Sequence, residues 1–215
     1  MLQTATVEKP TFELVKRLMQ DKCLSDFLLA GGTSLSLQLG YRKSIDLDMF
    51  SYQEFDSIEL EKYLVKKYQF VTRRAFEKNT VLGYIDDIKV DFVAHLYPLL
   101  NQPIEEETIR MYSLQDLACM KLVAISDNGT RLKDFVDIAF ISTNMSLNEM
   151  LISYSKKYNR PNYFHAVKGL SYFNDIDFDV NIVLANNKKF VWEKIEKRII
   201  DMIKFECKIF VSDPI

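Results

Sequence analysis

The chain has 215 residues, with 28 basic against 30 acidic side chains for a formal charge of −2, and is 48% hydrophobic and 27% charged. That composition excludes a disordered or fibrous chain, and the near balance excludes a broadly basic nucleic-acid coat while leaving room for a local basic groove. A chain of this length buries roughly 70% of its unfolded surface and needs no disulfide staples. The cysteines, Cys23, Cys119 and Cys207, are far apart and lack metal-ligand spacing, so reduced and mostly buried cytosolic thiols are expected. No apolar run approaches the roughly 18 residues of a membrane span, and Met1 to Pro10 lacks a signal-peptide layout. A cytoplasmic protein with no membrane partner follows as the expectation.

In chain order, Phe12, Leu14, Val15, Leu18 and Met19 predict an amphipathic helix over Thr11 to Asp21. Phe27 to Ala30 is a short apolar run that stops at Gly31-Gly32, a buried strand entering a tight turn. Thr33 to Leu39 reads as a helix closed by Gly40. Ser44 to Phe50 alternates apolar and acidic residues and predicts a strand. Asp56 can cap a helix over Ile58 to Tyr68, and strands follow at Phe70 to Phe76, Val81 to Ile85 and Ile88 to Val93. Beyond Pro98 and Pro103 the pattern turns helical: Leu114 to Ile125, Arg131 to Ile141, Leu147 to Tyr158, Tyr163 to Tyr172 and Lys188 to Cys207. The chain therefore reads as α/β (α+β), a mixed β-sheet with flanking helices followed by a C-terminal helical bundle. The expected domains are 1–103 and 104–215, the boundary falling where proline and three glutamates interrupt the apolar pattern.

Three features can share one site. Gly31-Gly32-Thr33-Ser34 lies between a strand and a helix, where backbone N–H groups and hydroxyls can hold phosphate oxygens; alone, such a turn is equally a plain turn. Asp46-Leu47-Asp48 places two carboxylates on one side of a strand, able to share cations or simply to meet water. Asp91 sits in the apolar strand Lys89-Val90-Asp91-Phe92, as a third site carboxylate or as an edge charge that discourages aggregation. If its strand pairs beside that of Asp46 and Asp48, two Mg²⁺ ions roughly 4 Å apart could clamp a phosphoryl group between them.

The order Gly-Gly-Thr-Ser, Asp-x-Asp, then a later strand Asp resembles the nucleotidyltransferase fold of the polymerase-beta type. A narrower likeness is carried by Leu29-Ala30-Gly31-Gly32-Thr33-Ser34-Leu35 and Leu39-Gly40-Tyr41-Arg42-Lys43-Ser44-Ile45-Asp46-Leu47-Asp48. Further on, Met120-Lys121-Leu122 and Arg131-Leu132-Lys133-Asp134-Phe135-Val136-Asp137 add to it. Together these resemble the AbiEii/AbiGii toxin-type nucleotidyltransferases, and Tyr172-Phe173-Asn174-Asp175 is similar to a later stretch of that family. The resemblance spans about residues 27 to 175. Tyr41 stands where the family often has His, a departure that bears on substrate contact.

The resemblance implies a nucleotidyltransferase-type core in 1–103, with 104–215 completing the active-site cleft. It implies an enzyme that moves NMP from an NTP to an acceptor, with RNA, and tRNA 3′ ends in particular, as that acceptor. Asp46, Asp48 and Asp91 would hold Mg²⁺ or Mn²⁺, with Asp91 also a general base. Gly31, Gly32, Thr33, Ser34 and Ser44 would hold phosphates. Arg42 is either a nucleotide contact or a buried ion-pair partner. Lys121 would neutralise triphosphate charge, Asp134 would orient Lys121 or the base, and Asp137 reads as structural. The same resemblance implies a toxin of a type IV toxin–antitoxin or abortive-infection system with an antitoxin encoded nearby. Lys66-Lys67, Arg73-Arg74, Lys156-Lys157, Lys188-Lys189 and Lys197-Arg198 read as solvated faces, or as an RNA-holding rim if they gather. The alternatives are a nucleotide-binding module without turnover and a sugar transferase that uses Asp-x-Asp.

Overall fold

A computed structural model of the chain describes residues 1–74, 77–185 and 188–215. The chain divides into two compact units, Met1–Gly40 with Ser44–Tyr112, and Tyr41–Lys43 with Ser113–Ile215. As the sequence predicts, a mixed sheet with helices precedes an all-helical half.

In the first unit, α1 (Lys9–Met19) begins two residues before the expected Thr11, because proline is tolerated in a first helical turn. Its buried face is Thr11, Leu14, Val15, Leu18 and Met19, the spacing of one helical stripe. Strand β1 (Phe27–Leu29) is buried along its length, and α2 (Gly31–Leu39) follows, ended by Gly40 at a left-handed φ of 74°. Then come β2 (Leu47–Ser51), α3 (Ser57–Tyr68), β3 (Val71–Thr72), β4 (Thr80–Ile85), β5 (Ile88–Ala94), β6 (Ile104–Glu106) and β7 (Ile109–Met111). Asp56 caps α3 through Ile58 and Glu59 N–H, as its position suggests.

The seven strands form one sheet in the order β3-β4-β5-β2-β1-β7-β6. β1 lies antiparallel to β2 and parallel to β7, while β2 lies parallel to β5. The core packs Leu14, Leu18, Leu29, Met49, Val90, Phe92 and Met111 together, with Phe27 edge-on to Phe92 at 5.1 Å between ring centroids.

Several expectations change. The second strand starts at Leu47 rather than Ser44, so Asp46 stands just before the ladder. The strand expected over Phe70 to Phe76 is described only at Val71–Thr72, and its Ala75 and Phe76 lie outside the described residues. The first unit runs on to Tyr112, and the region around 101–107, read as an interdomain break, carries β6, the first strand of the β6–β7 hairpin. Its turn was hidden because Glu107 and Thr108 hold φ of 50° and 69°, left-handed conformations that Gly and Asn ordinarily signal.

In the second unit are α4 (Leu114–Asp127), α5 (Leu132–Ile141), α6 (Leu147–Tyr158), α7 (Phe164–Leu170) and α8 (Trp192–Lys204). Ser146 and Glu149 make a reciprocal capping box at the start of α6. Two basic residues read as solvated are instead buried. Lys157 is ion-paired to Asp116 at 2.7 Å, and Arg198 lies over the Phe210 ring at 4.4 Å while donating to Ser212 O at 2.8 Å. Each found a local acceptor, which is what lets a charge leave water. Of the cysteines only Cys119 is buried, because Cys23 lies in a surface turn and Cys207 beyond α8. Among the described residues no helix is long and apolar enough to cross a membrane.

Candidate active site

The first unit brings Gly31, Asp48 and Asp91 to one end of adjacent elements. β2 and β5 run parallel with Asp48 opposite Asp91, and register partners in a sheet present their side chains to the same face. β2 is joined to the α2 start by Ala30 N–H donating to Asp48 O at 2.8 Å. Gly31 follows at φ 62°, and a Cβ added there would lie 1.9 Å from Asp48 Oδ2. Backbone and carboxylate therefore meet with no room for any side chain at position 31. Gly31→Ala is expected to cost about 1–3 kcal/mol from the left-handed conformation alone, plus the clash with Asp48. Chemical denaturation checks this: adding Asp48→Ala should recover the clash component, and equal stability of wild type and Gly31→Ala would refute the packing.

The hydroxyl predicted to touch phosphate at Thr33 is committed to the protein. Thr33 is buried, its Oγ1 donating to Asp46 O and accepting from Ser44 Oγ at 2.9 Å. This fixes the short approach to β2 on which Asp46 stands. Ser34 is also buried and accepts from Gln38 Nε2 at 3.1 Å. Gly31 and Gly32 remain partly open at the α2 N-terminus, where backbone N–H groups without helical acceptors favour an anion.

Asp91 is buried, with Oδ2 3.0 Å from Lys89 Nζ and 3.5 Å from Arg73 Nη2. Its Oδ1 is buried and has no hydrogen-bond partner among the described residues, an uncommon state for a carboxylate oxygen. Lys89 Nζ also lies 3.7 Å from Asp46 Oδ2. Burial pulls the Lys89 ammonium down, but Asp91, Asp46 and Asp48 outweigh it and hold the group above its ordinary value. Among the described residues no three His, Cys, Asp or Glu side chains are gathered closely enough to hold a metal ion as they stand. The donors here are carboxylate oxygens, the orphaned Asp91 Oδ1 among them, the hard type of ligand that a divalent cation takes. Lys89 is not singled out from sequence as a site residue, although strand alternation already places it on the face of Asp91, and Arg73 is read there only as a solvated or RNA-holding charge.

Arg42, Lys121, Asp134 and Asp137 lie in the second unit, all buried. Tyr41 to Lys43 pair with residues 183–185, Ala185 N–H donating to Tyr41 O and Lys43 N–H to Val183 O, both at 2.8 Å. Arg42 grips Asp137 with Nε at 2.7 Å and Nη2 at 3.1 Å. Lys121 Nζ bridges Asp134 at 2.6 Å and Asp137 at 2.8 Å. Burial opposes the charge on Asp137, but Arg42 and Lys121 prevail and hold its carboxyl well below the usual range. Lys121 is held above its ordinary value, Asp137 and Asp134 outweighing burial. Of the two readings of Arg42, the ion pair is the one formed. Tyr41 is buried with its hydroxyl donating to Asp137 Oδ1 and its ring stacked on Phe140 at 4.4 Å.

A family model described as "Nucleotidyl transferase AbiEii toxin, Type IV TA system" matches residues 13–205. An uncharacterized protein of Aquifex aeolicus (strain VF5) is 32% identical over 197 residues, covering 89% of this chain and 93% of that protein. A protein from H. pylori assigned as a nucleotidyltransferase has a TM-score of 0.55 at 17% identity, covering 92% of this chain and 95% of the other. The antibiotic-resistance factor ANT(2'')-Ia has a TM-score of 0.51 at 12% identity, covering 69% and 91%. The structural likenesses show a nucleotidyltransferase fold.

Proposed function

The chain belongs to the nucleotidyl transferase AbiEii toxin family and is a nucleotidyltransferase, and from that premise we propose that it transfers NMP from an NTP to an RNA hydroxyl, the tRNA 3′ end. The observation that carries the reading is the in-register pair Asp48 and Asp91 beside a glycine that leaves no room for a side chain against Asp48. A divalent cation, Mg²⁺ or Mn²⁺, held by Asp46, Asp48 and Asp91 would offset triphosphate charge and polarise the phosphoryl oxygens. The Gly31 and Gly32 N–H groups hold phosphate oxygens at the α2 N-terminus. Asp91 takes the proton of the acceptor hydroxyl. The hydroxyl oxygen bonds to the α-phosphorus, the bond from that phosphorus to the β-phosphate bridging oxygen breaks, and pyrophosphate leaves with the electron pair. Position and charge, rather than covalent chemistry by the protein, supply the rate. Lys121 and Asp134 enter the proposal through the family resemblance, Lys121 against triphosphate charge and Asp134 as its anchor. The biological setting we infer is a cytoplasmic toxin whose antitoxin is encoded nearby and acts without stable contact.

The test incubates the protein with each of four labelled NTPs, Mg²⁺ and total RNA, read by gel beside a pyrophosphate assay. One NTP is expected to label a tRNA-sized band, with pyrophosphate released and both signals lost in EDTA. NTP binding without release on any RNA would replace this reading with a module that binds but does not turn over. Inertness to NTPs with turnover of nucleotide sugars would replace it with sugar transfer.

A further inference from the structure

Lys89 precedes Asp91 by two residues on β5, so both side chains stand on one face of the strand. Its ammonium reaches Asp91 Oδ2 at 3.0 Å and Asp46 Oδ2 at 3.7 Å, linking the strand carboxylate to the one just before β2. We propose that Lys89 is the built-in counter-cation of the carboxylate site, holding Asp46 and Asp91 until a divalent ion displaces it. The inference rests on the metal-dependent reading above and goes beyond it by giving a chain residue control over metal affinity.

Three observations support the exchange. First, a lysine ammonium is a single point charge on a flexible stem, and here it is shared between two carboxylates, Asp91 and Asp46. Second, it satisfies only one oxygen of Asp91, because Oδ1 is buried and has no hydrogen-bond partner among the described residues; a carboxylate left half-satisfied in this way is suited to a further cation. Third, the Lys89 side chain is 29% exposed against 11% for Asp91, so the lysine can withdraw to water while the carboxylate stays in place. Arg73, 3.5 Å from Asp91 Oδ2 and 41% exposed, is a weaker and more screened second cation. Metal binding by the protein alone is then weakened by the energy of the Lys89 contacts. A triphosphate, bringing its own charge and oxygen ligands, tips the exchange toward the metal.

The experiment titrates Mn²⁺ into the full chain without nucleotide, following free Mn²⁺ by electron paramagnetic resonance, for wild type, Lys89→Met, Lys89→Gln and Lys89→Arg. Loss of a cation at contact distance from two ligands should tighten Mn²⁺ binding by about tenfold in both neutral variants, while Lys89→Arg keeps the wild-type affinity. Melting curves give a second readout. In EDTA the neutral variants should melt below wild type, because their carboxylates lack a counter-charge, and Mn²⁺ should raise their melting temperature by more than it raises wild type. Folded neutral variants with wild-type or weaker Mn²⁺ affinity would overturn the proposal and leave Lys89 an ordinary ion pair. Absence of Mn²⁺ binding by wild type and by every variant, even with NTP added, would overturn the metal reading of the site itself and this inference with it.

Discussion

Asp48→Asn is expected to lower nucleotide transfer by about three orders of magnitude or more, the scale on which losing a charge-stabilising group at a reacting centre is felt. Asp48 is opposite Asp91 in the β2–β5 ladder and pressed against Gly31, so it couples the carboxylates to the phosphate-holding end of α2. Asparagine keeps the volume and one acceptor oxygen but removes the charge that a cation needs. The variant should fold, because no part of the substitution enters the apolar core and a carboxylate near two others is lost. The decisive measurement is labelled-NMP transfer beside a thermal melt. Full transfer by a folded Asp48→Asn protein would end the carboxylate mechanism; loss of both transfer and cooperative melting would show instead that Asp48 is a structural residue.

Asp137→Ala is expected to cost about 3–5 kcal/mol, the range for breaking a buried ion pair by removing one partner. Asp137 receives Arg42 through two nitrogens, Lys121 through one and the Tyr41 hydroxyl besides, all in a buried setting. Without it Arg42 loses its carboxylate partner, and Lys121 keeps only Asp134 of the two carboxylates it bridges. Urea unfolding of the two proteins checks the figure, and a loss below about 1 kcal/mol would mean that water enters and screens the network.

The acid limb supplies a second check with a defined sign. The Asp137 carboxyl is held below its ordinary value in the folded protein, so the unfolded chain binds more protons in the window between the two. Its contribution is therefore fully present above the ordinary carboxylate range near 3.9 and is lost as the pH falls through and below it. Asp137→Ala should be less stable at neutral pH and show a flatter acid limb. An unchanged slope would assign the wild-type acid sensitivity to other carboxylates.

The split between what sequence and structure decide is clearest at particular residues. Period-2 alternation at Ile88 to Val93 and the apolar stripe of α1 are local signals, set by which side chains must leave water, and each element formed where its pattern lies. The Gly-Gly-Thr-Ser turn and the Asp-x-Asp motif were likewise legible in linear order, because a tight turn and a helix start demand particular residue types. That order was enough to point to the family, and to the α/β core followed by helices.

The pairing of residues far apart in the chain was decided elsewhere. That Asp48 lies opposite Asp91, with more than 40 residues between them, follows from strand register and from which sheet edges remain free. The β6–β7 hairpin escaped notice because Glu107 and Thr108 accept left-handed backbone that their side chains do not advertise. Lys157 carries charge, which composition alone assigns to the surface, and the sequence leaves Arg42 open between a nucleotide contact and a buried ion pair; only the packing supplies the Asp116 and Asp137 partners that make their burial affordable. Sequence by itself determined the chemistry available and the local elements, since those depend on residue type and near neighbours. Tertiary structure decided which charges meet, because the partner that stabilises a buried ion or orients a site carboxylate comes from a distant part of the chain.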